Sequence, residues 1–190
     1  MINHIKSEAG QHAGYDLIQR KECDLDSLMK EFGQSVLWLA YSYVKDRNLA
    51  EEITQDVFIS CYEKMDTFRE ESSIKTWIYR IASNRCKDVM KSRTYKYKKL
   101  TQSLFDHYFS TDQTPEESYI KKSDENELSL KVLALPLKYR EVIYLYYFEN
   151  LKLDEISNLL SIKTNTVKTR LHRGRELLKN MYERGGSHGR

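Results

Sequence analysis

Apolar residues return at helical spacing over two long blocks of this chain, and the rhythm is lost between and beyond them. The first block runs from about Asp24 to Arg93 and carries three stripes. Leu28, Phe32, Val36, Leu39, Ala40 and Tyr43 make one; Ile53, Val57, Cys61 and Met65, with Ala50 and Phe58 beside them, make the next. Ile74, Trp77, Ile78, Ile81, Ala82 and Val89 make the third. Asn48 suits an N-cap for the second helix, with Glu51 three residues on as in a capping box, and Ser72 or Ser73 suits a cap for the third. Three amphipathic helices with facing stripes predict a bundle around a shared core. Between about Thr94 and Asp124 the pattern gives way to Tyr, Lys, Ser, Thr, Asp and Gln with one proline, which reads as a linker with local helix around Leu104 to Tyr108. A second helical block resumes near Glu125 and ends near Arg184, ahead of a glycine-rich tail.

Composition narrows the picture. A length of 190 residues suits two small domains. Two prolines and seven glycines are few breakers, so an all-α architecture is expected: two helical domains joined by a flexible linker. A formal net charge of +3 decides little by itself; the placement of the charges matters more. Cys23, Cys61 and Cys86 show no Cys-x-x-Cys spacing and fit reduced thiols better than a disulfide framework or a zinc site. No apolar run approaches the roughly 20 residues that span a bilayer, and no signal-peptide core opens the chain, so a soluble, cytoplasmic protein is expected. We find no P-loop, no Gly-x-Ser-x-Gly and no His-Glu-x-x-His, and we expect no catalytic residues, no metal and no cofactor.

The strongest motif lies in the second block. Leu151 to Leu160 is a short helix with Ile156, Leu159 and Leu160 inward, followed by a turn over Ser161 to Thr164. Asn165 or Thr166 then caps a helix that carries Val167, Leu171 and Leu178 on one side and a dense basic face on the other. This is helix-turn-helix spacing, in which the second helix enters the DNA major groove with its N-terminal residues at the base edges. Those residues are Lys168, Thr169, His172 and Arg173, with Arg170 and Arg175 nearby. Lys and Arg suit guanine edges and phosphates, and Thr can meet a thymine methyl. A basic helix alone is more often a solvated face; the turn ahead of it favours DNA.

The run Leu135-Pro136-Leu-Lys-Tyr139-Arg140-Glu141-Val142-Ile143, then Tyr147-Phe148-Glu149-Asn150-Leu151, Asp154-Glu155-Ile156, and Asn165-Thr166-Val167-Lys168-Thr169-Arg170-Leu171-His172-Arg173-Gly174-Arg175 resembles the sigma-four domain of bacterial RNA polymerase sigma factors. The resemblance implies that this domain, over 125–184, reads the promoter element at minus thirty-five through Lys168, Thr169, His172, Arg173 and Arg175. Three positions depart from the family pattern: Ser161 and Asn165 where glycine is usual, and Lys152 where Ser or Thr caps the first helix. Asn tolerates left-handed backbone, so its change is mild.

The first block, over 24–95, resembles the sigma-two domain of the same family. Ala50-Glu51-Glu52-Ile53-Thr54-Gln55-Asp56-Val57-Phe58 matches the helix that docks on core polymerase, and Glu52, Gln55 and Asp56 cluster on one side of it. An acidic and amide strip is what an arginine-rich partner helix selects. The segment Phe68 to Asn84 resembles the family's melting and minus-ten segment. Opening DNA takes a base out of the stack and needs a pocket to receive it. Phe68 can line that pocket, Asn84 can read a Watson–Crick edge, and Lys75, Arg80, Arg85 and Lys87 supply charge for phosphate. Trp77 sits on the apolar stripe, and we place it in the core; Arg80 fits a DNA contact or a brace within the bundle.

Sigma-two, a linker over 96–124 and sigma-four, without a domain between, is the order of the extracytoplasmic-function type. That resemblance implies core RNA polymerase and promoter DNA as partners. It also implies an anti-sigma factor, often membrane-bound, that releases the protein on an envelope or stress signal. The rival from another class is a helix-turn-helix regulator that binds DNA without joining polymerase. An enzyme acting on nucleic acid is a weaker rival, since no nucleophile or metal constellation stands out.

Overall fold

The computed structural model describes residues 25–68, 72–92, 94–96 and 124–185. Every element among them is helical, as the scarcity of breakers predicts. Helix α1 covers 25–44, α2 Arg47–Lys64, and α3 Ile74–Lys91. The second unit holds α4 (Asp124–Ala134), α5 (Leu137–Ile143), α6 (Leu153–Leu160) and α7 (Thr164–Gly185). The expected linker falls almost wholly outside the described residues, as do the local helix at Leu104 to Tyr108 and the first 24 positions.

The three stripes of the first block meet in one core. Val36, Leu39 and Ala40 of α1, Ile53, Val57 and Cys61 of α2, and Ile78, Ala82 and Cys86 of α3 are fully buried there. The Val, Leu and Ile side chains among them each contribute roughly 1.5–3 kcal/mol by leaving water. Burial raises the Cys61 thiol to about 11 and the Cys86 thiol to about 12, so both stay protonated. The cap of α2 differs from the sequence expectation. Asp46, not Asn48, accepts from the Leu49 amide at 3.0 Å, because the preceding Lys45 adopts a left-handed backbone that turns the chain two residues earlier. Ser73 caps α3 as expected, accepting from the Thr76 amide at 3.2 Å.

In the second unit, α5 runs directly into one π-helical turn at Tyr144–Phe148, where the Glu149 amide reaches back to the Tyr144 carbonyl at 3.2 Å. Such turns recur at functional positions. Ile156, Leu159 and Leu160 of α6 pack with Val167 and Leu171 of α7 in the expected inward arrangement. Gly174 is buried where α7 crosses α5, and an added Cβ would stand 2.8 Å from Ile143 Cγ1.

The turn between α6 and α7 corrects two readings. Helix α7 begins at Thr164, with the Lys163 carbonyl accepting from the Thr166 and Val167 amides, so Asn165 and Thr166 lie inside the first turn. The left-handed residue is Ser161, at φ 54° and ψ 45°, and the tolerance of Asn165 for that conformation is not used. Lys152 stands at the N-cap of α6 without an acceptor of its own; Glu155 instead accepts from the Lys152 amide at 2.8 Å. Ser161→Gly is expected to stabilise the fold by about 0.5–1 kcal/mol, because only glycine enters this backbone region freely. A rise of roughly 1–4 °C in the thermal midpoint would register it; a fall would show that the Ser161 side chain itself supports the turn.

The two units close on each other, with α3 packed against α6.

Candidate nucleic-acid and polymerase interfaces

On α2, Glu52 and Gln55 are exposed and Asp56 is half-buried, one turn apart on one face. Asp56 is engaged within the protein: the Arg85 guanidinium reaches it through Nη2 at 2.6 Å and Nε at 3.0 Å. Ile59 extends the same face and is 56% exposed, with exposed Glu63 a turn beyond. Sequence reading missed Ile59. The signal was its position, one turn past Gln55 and off the buried Ile53–Val57–Cys61 stripe.

Around α3 the residues expected at minus ten divide between two sides. Phe68 packs its ring on Trp77 at 5.3 Å and 50°. Trp77 is partly buried against the core, as expected. Arg80 is half-buried, with its Nε shielded and without a hydrogen-bond partner, and Asn84 is exposed two turns beyond Trp77 on the same side. Lys75 lies on the opposite side. Its ammonium donates to the Glu149 carbonyl at 2.7 Å and pairs with the Glu149 carboxylate at 3.3 Å.

That opposite side is a polar stripe of period four: Lys75, Tyr79, Ser83 and Lys87. Lys75, Tyr79 and Lys87 meet the seam with the second unit directly, and Ser83 reaches it through Tyr43. The Tyr79 hydroxyl donates to the Glu149 carboxylate, and the Tyr144 hydroxyl donates to the Ser35 carbonyl of α1 at 3.1 Å. Further along, the Tyr43 hydroxyl donates to Glu141 Oε2 at 2.8 Å. Because a carboxylate only accepts, Ser83 must donate to the Tyr43 oxygen, also 2.8 Å away. Lys87 stands 3.6 Å from Glu141 Oε2, and Arg170 of α7 donates to Oε1 at 2.8 Å. The Glu141 and Glu149 side chains are each only 6% exposed. Burial, and after it the Glu141 charge, hold the Tyr43 phenol well above its ordinary range, so it remains a donor.

On α7, Lys168, Thr169, His172, Arg173 and Arg175 are all exposed. The Thr169 hydroxyl turns back to the Asn165 carbonyl at 2.9 Å. Glu176 gathers Arg173 at 2.9 Å and His172 at 3.5 Å. Arg175 instead donates to the Tyr147 hydroxyl at 2.6 Å and lies over the Tyr147 ring at 5.5 Å. It is therefore held to one side of the face formed by the other four.

Known proteins match both units. The family profile described as sigma-70 region 2 matches residues 28–95, and that described as sigma-70, region 4 matches residues 125–178. The ECF RNA polymerase sigma factor SigW of Bacillus subtilis (strain 168) is 32% identical over 171 residues, covering 85% of this chain and 91% of the relative. RNA polymerase sigma factor SigV of the same organism is 33% identical over 141 residues, covering 74% and 80%. Among solved structures, the sigma factor RpoE in complex with the anti-sigma factor NepR from Bartonella quintana superposes with a TM-score of 0.66 at 20% identity, over 84% of this chain and 97% of that one. CnrH in complex with the cytosolic domain of CnrY gives a TM-score of 0.60 at 18% identity, over 85% and 89%.

Proposed function

The chain belongs to the extracytoplasmic-function sigma factors of the sigma-70 family, and from that premise we propose a role for each of its exposed faces. The protein binds core RNA polymerase and directs promoter-specific initiation, which makes it an initiation factor rather than a catalyst. Its two units divide that work: 24–95 binds core and opens DNA, 125–184 reads the upstream element, and 96–124 links them. The observation that carries the assignment for α7 is the cluster of four exposed side chains, Lys168, Thr169, His172 and Arg173, on the N-terminal half of a helix that follows a tight turn. The sigma factor RpoE, solved in complex with the anti-sigma factor NepR, supports a partner of that kind; release on an envelope or stress signal is the role we assign to it. A cytoplasmic location fits this role; no described helix is long and apolar enough to cross a membrane.

The deciding experiment mixes the protein with sigma-free core polymerase and a promoter library. A sigma factor yields specific initiated transcripts. A regulator of the rival class binds DNA alone and starts nothing.

Glu52, Gln55 and Asp56 form the core-binding strip, and Ile59 adds an apolar anchor to it. Exposed apolar side chains within a charged rim are where binding energy concentrates. Ile59→Glu is expected to weaken holoenzyme assembly by ~10-fold or more while moving stability by less than about 0.5 kcal/mol, since the side chain is exposed in the free protein. Unchanged affinity for core in a fluorescence titration would remove Ile59 from the interface.

Phe68 and Asn84 receive and read the flipped base, with Arg80 on their side of α3 serving the strand's phosphates; Lys75 stands apart from them, against Glu149. Asn84→Ala is expected to slow open-complex formation on the order of tenfold, the loss of one or two base hydrogen bonds. Closed-complex binding through α7 should persist. Permanganate footprinting that showed normal melting and unchanged base preference would reject the assignment.

A further inference from the structure

Lys168, His172 and Arg173, on the outward side of α7, each carry a hydrogen-bond donor for base edges or phosphates. Thr169, among them, differs. Its hydroxyl donates to the Asn165 carbonyl one turn back, at 2.9 Å, so its proton is spent inside the helix. While that bond stands, Thr169 cannot donate to guanine O6, thymine O4 or a purine N7. What it still offers is its Cγ2 methyl and an oxygen already drawn against the backbone. Thr169 is exposed near the N-terminal end of α7, the end of a recognition helix that meets base edges. The face therefore holds an apolar point among polar ones.

Base pairs differ at their major-groove edges in donors and acceptors, and thymine alone adds a methyl group. We propose that Thr169 reads a thymine of the minus-thirty-five element by methyl-to-methyl contact, so that the thymine methyl, not a hydrogen bond, is the feature selected at that position. This deepens the reading of α7 and rests on the helix lying in the major groove. The attraction is the removal of two small apolar groups from water, so it disappears with either methyl. A consequence follows for modified DNA. 5-Methylcytosine carries the same group at the same place on the ring, so a cytosine at this position is accepted better when methylated.

The test uses holoenzyme on a promoter that the wild-type protein selects from a randomised upstream element. Each thymine of that element, on both strands, is replaced in turn by deoxyuridine, which keeps the pairing and removes only the methyl. One replacement should lower affinity about fourfold, the effect of taking one methyl out of an apolar contact. Thr169→Val keeps the methyl and discards the hydroxyl, and it should stay sensitive to that replacement. Thr169→Ser keeps the hydroxyl and discards the methyl; it should bind the thymine promoter as weakly as wild type binds the deoxyuridine one, and lose the sensitivity. A cytosine at the same position should bind about fourfold tighter when 5-methylated. Helicity and a thermal midpoint like those of wild type establish that both variants are folded. The proposal is overturned if no deoxyuridine lowers binding, if Thr169→Ser responds as wild type does, if Thr169→Val binds as weakly as Thr169→Ser, or if methylating the cytosine has no effect. Selection with Arg173→Ala tests the placement of α7 separately: a changed set of recovered bases, with no thymine methyl mattering, keeps the helix in the groove and removes only the role of Thr169.

Discussion

Glu141→Ala is expected to cost about 2–4 kcal/mol of stability, a fall of roughly 4–16 °C in the thermal midpoint. The carboxylate is nearly fully buried and serves three groups at once: the Arg170 guanidinium, the Lys87 ammonium and the Tyr43 hydroxyl. Removing one member of a buried charge set does more than delete its attraction. It leaves the partners desolvated without a counter-charge, and that penalty dominates. Arg170 and Lys87 retain partial access to water, which keeps the expected cost below that of a fully enclosed pair. Two comparisons locate the effect. Glu141→Gln keeps an acceptor for Tyr43 and should cost less than alanine. Arg170→Ala removes the pairing within the second unit but leaves Lys87 and Tyr43 served, so it too should cost less. A midpoint for Glu141→Ala within 2 °C of wild type would mean that water replaces the carboxylate at the seam.

Sequence periodicity reached most of the fold because its signal is local. The stripe Phe32, Val36, Leu39, Ala40 and Tyr43 repeats with the helix, and the same residues are buried in α1. The inward set of the helix-turn-helix, Ile156, Leu159, Leu160, Val167 and Leu171, was equally plain. Cap positions were less accessible. Asn48 and Asp46 are both good cap residues, and the choice between them is made by the backbone of Lys45, which no residue preference announces. The same holds for the turn before α7. Asn165 has the chemistry for left-handed backbone, yet the chain places Ser161 there, because Ile162 must close back on α6 through its amide and carbonyl to Ser157.

The seam was illegible for a different reason. Lys75 and Lys87 read as phosphate ligands because a lysine on a helix face carries no label for its partner, and the carboxylates that hold them lie 74 and 54 positions further along. Asp56 is a related case: its place in the acidic strip was readable, its pairing with Arg85 of α3 was not. What could have been read is the pattern. Four residues at a period of four, Lys75, Tyr79, Ser83 and Lys87, flank the apolar positions Ile78, Ala82 and Cys86, and a tyrosine and a serine beside such a stripe suit a covered seam better than a solvated face.

The major-groove reading of α7 separates two arginines that sequence spacing alone barely distinguishes. Arg173 shares its face with Lys168, Thr169 and His172, and among the described residues its partner is Glu176 on the exposed surface of the same helix, an ion pair weak enough for a base edge to displace. Arg175 is tied to Tyr147 by a 2.6 Å hydrogen bond and lies over its ring, at the border between α7 and the aromatic turn after α5. An arginine braced in that way is positioned for the phosphate backbone that flanks a groove-bound helix. Arg173→Ala is therefore expected to cost on the order of 1–3 kcal/mol on the preferred promoter and to relax selection at one position of the minus-thirty-five element. Arg175→Ala should weaken every sequence about equally and reduce the slope of log affinity against log salt by roughly one unit. Both variants are read in holoenzyme, since the free chain holds its units together. Selection from a randomised upstream element gives the first result, and a salt titration on one promoter gives the second. If Arg173→Ala recovers the wild-type sequences and changes only the salt slope, α7 is a phosphate clamp and the bases are read elsewhere.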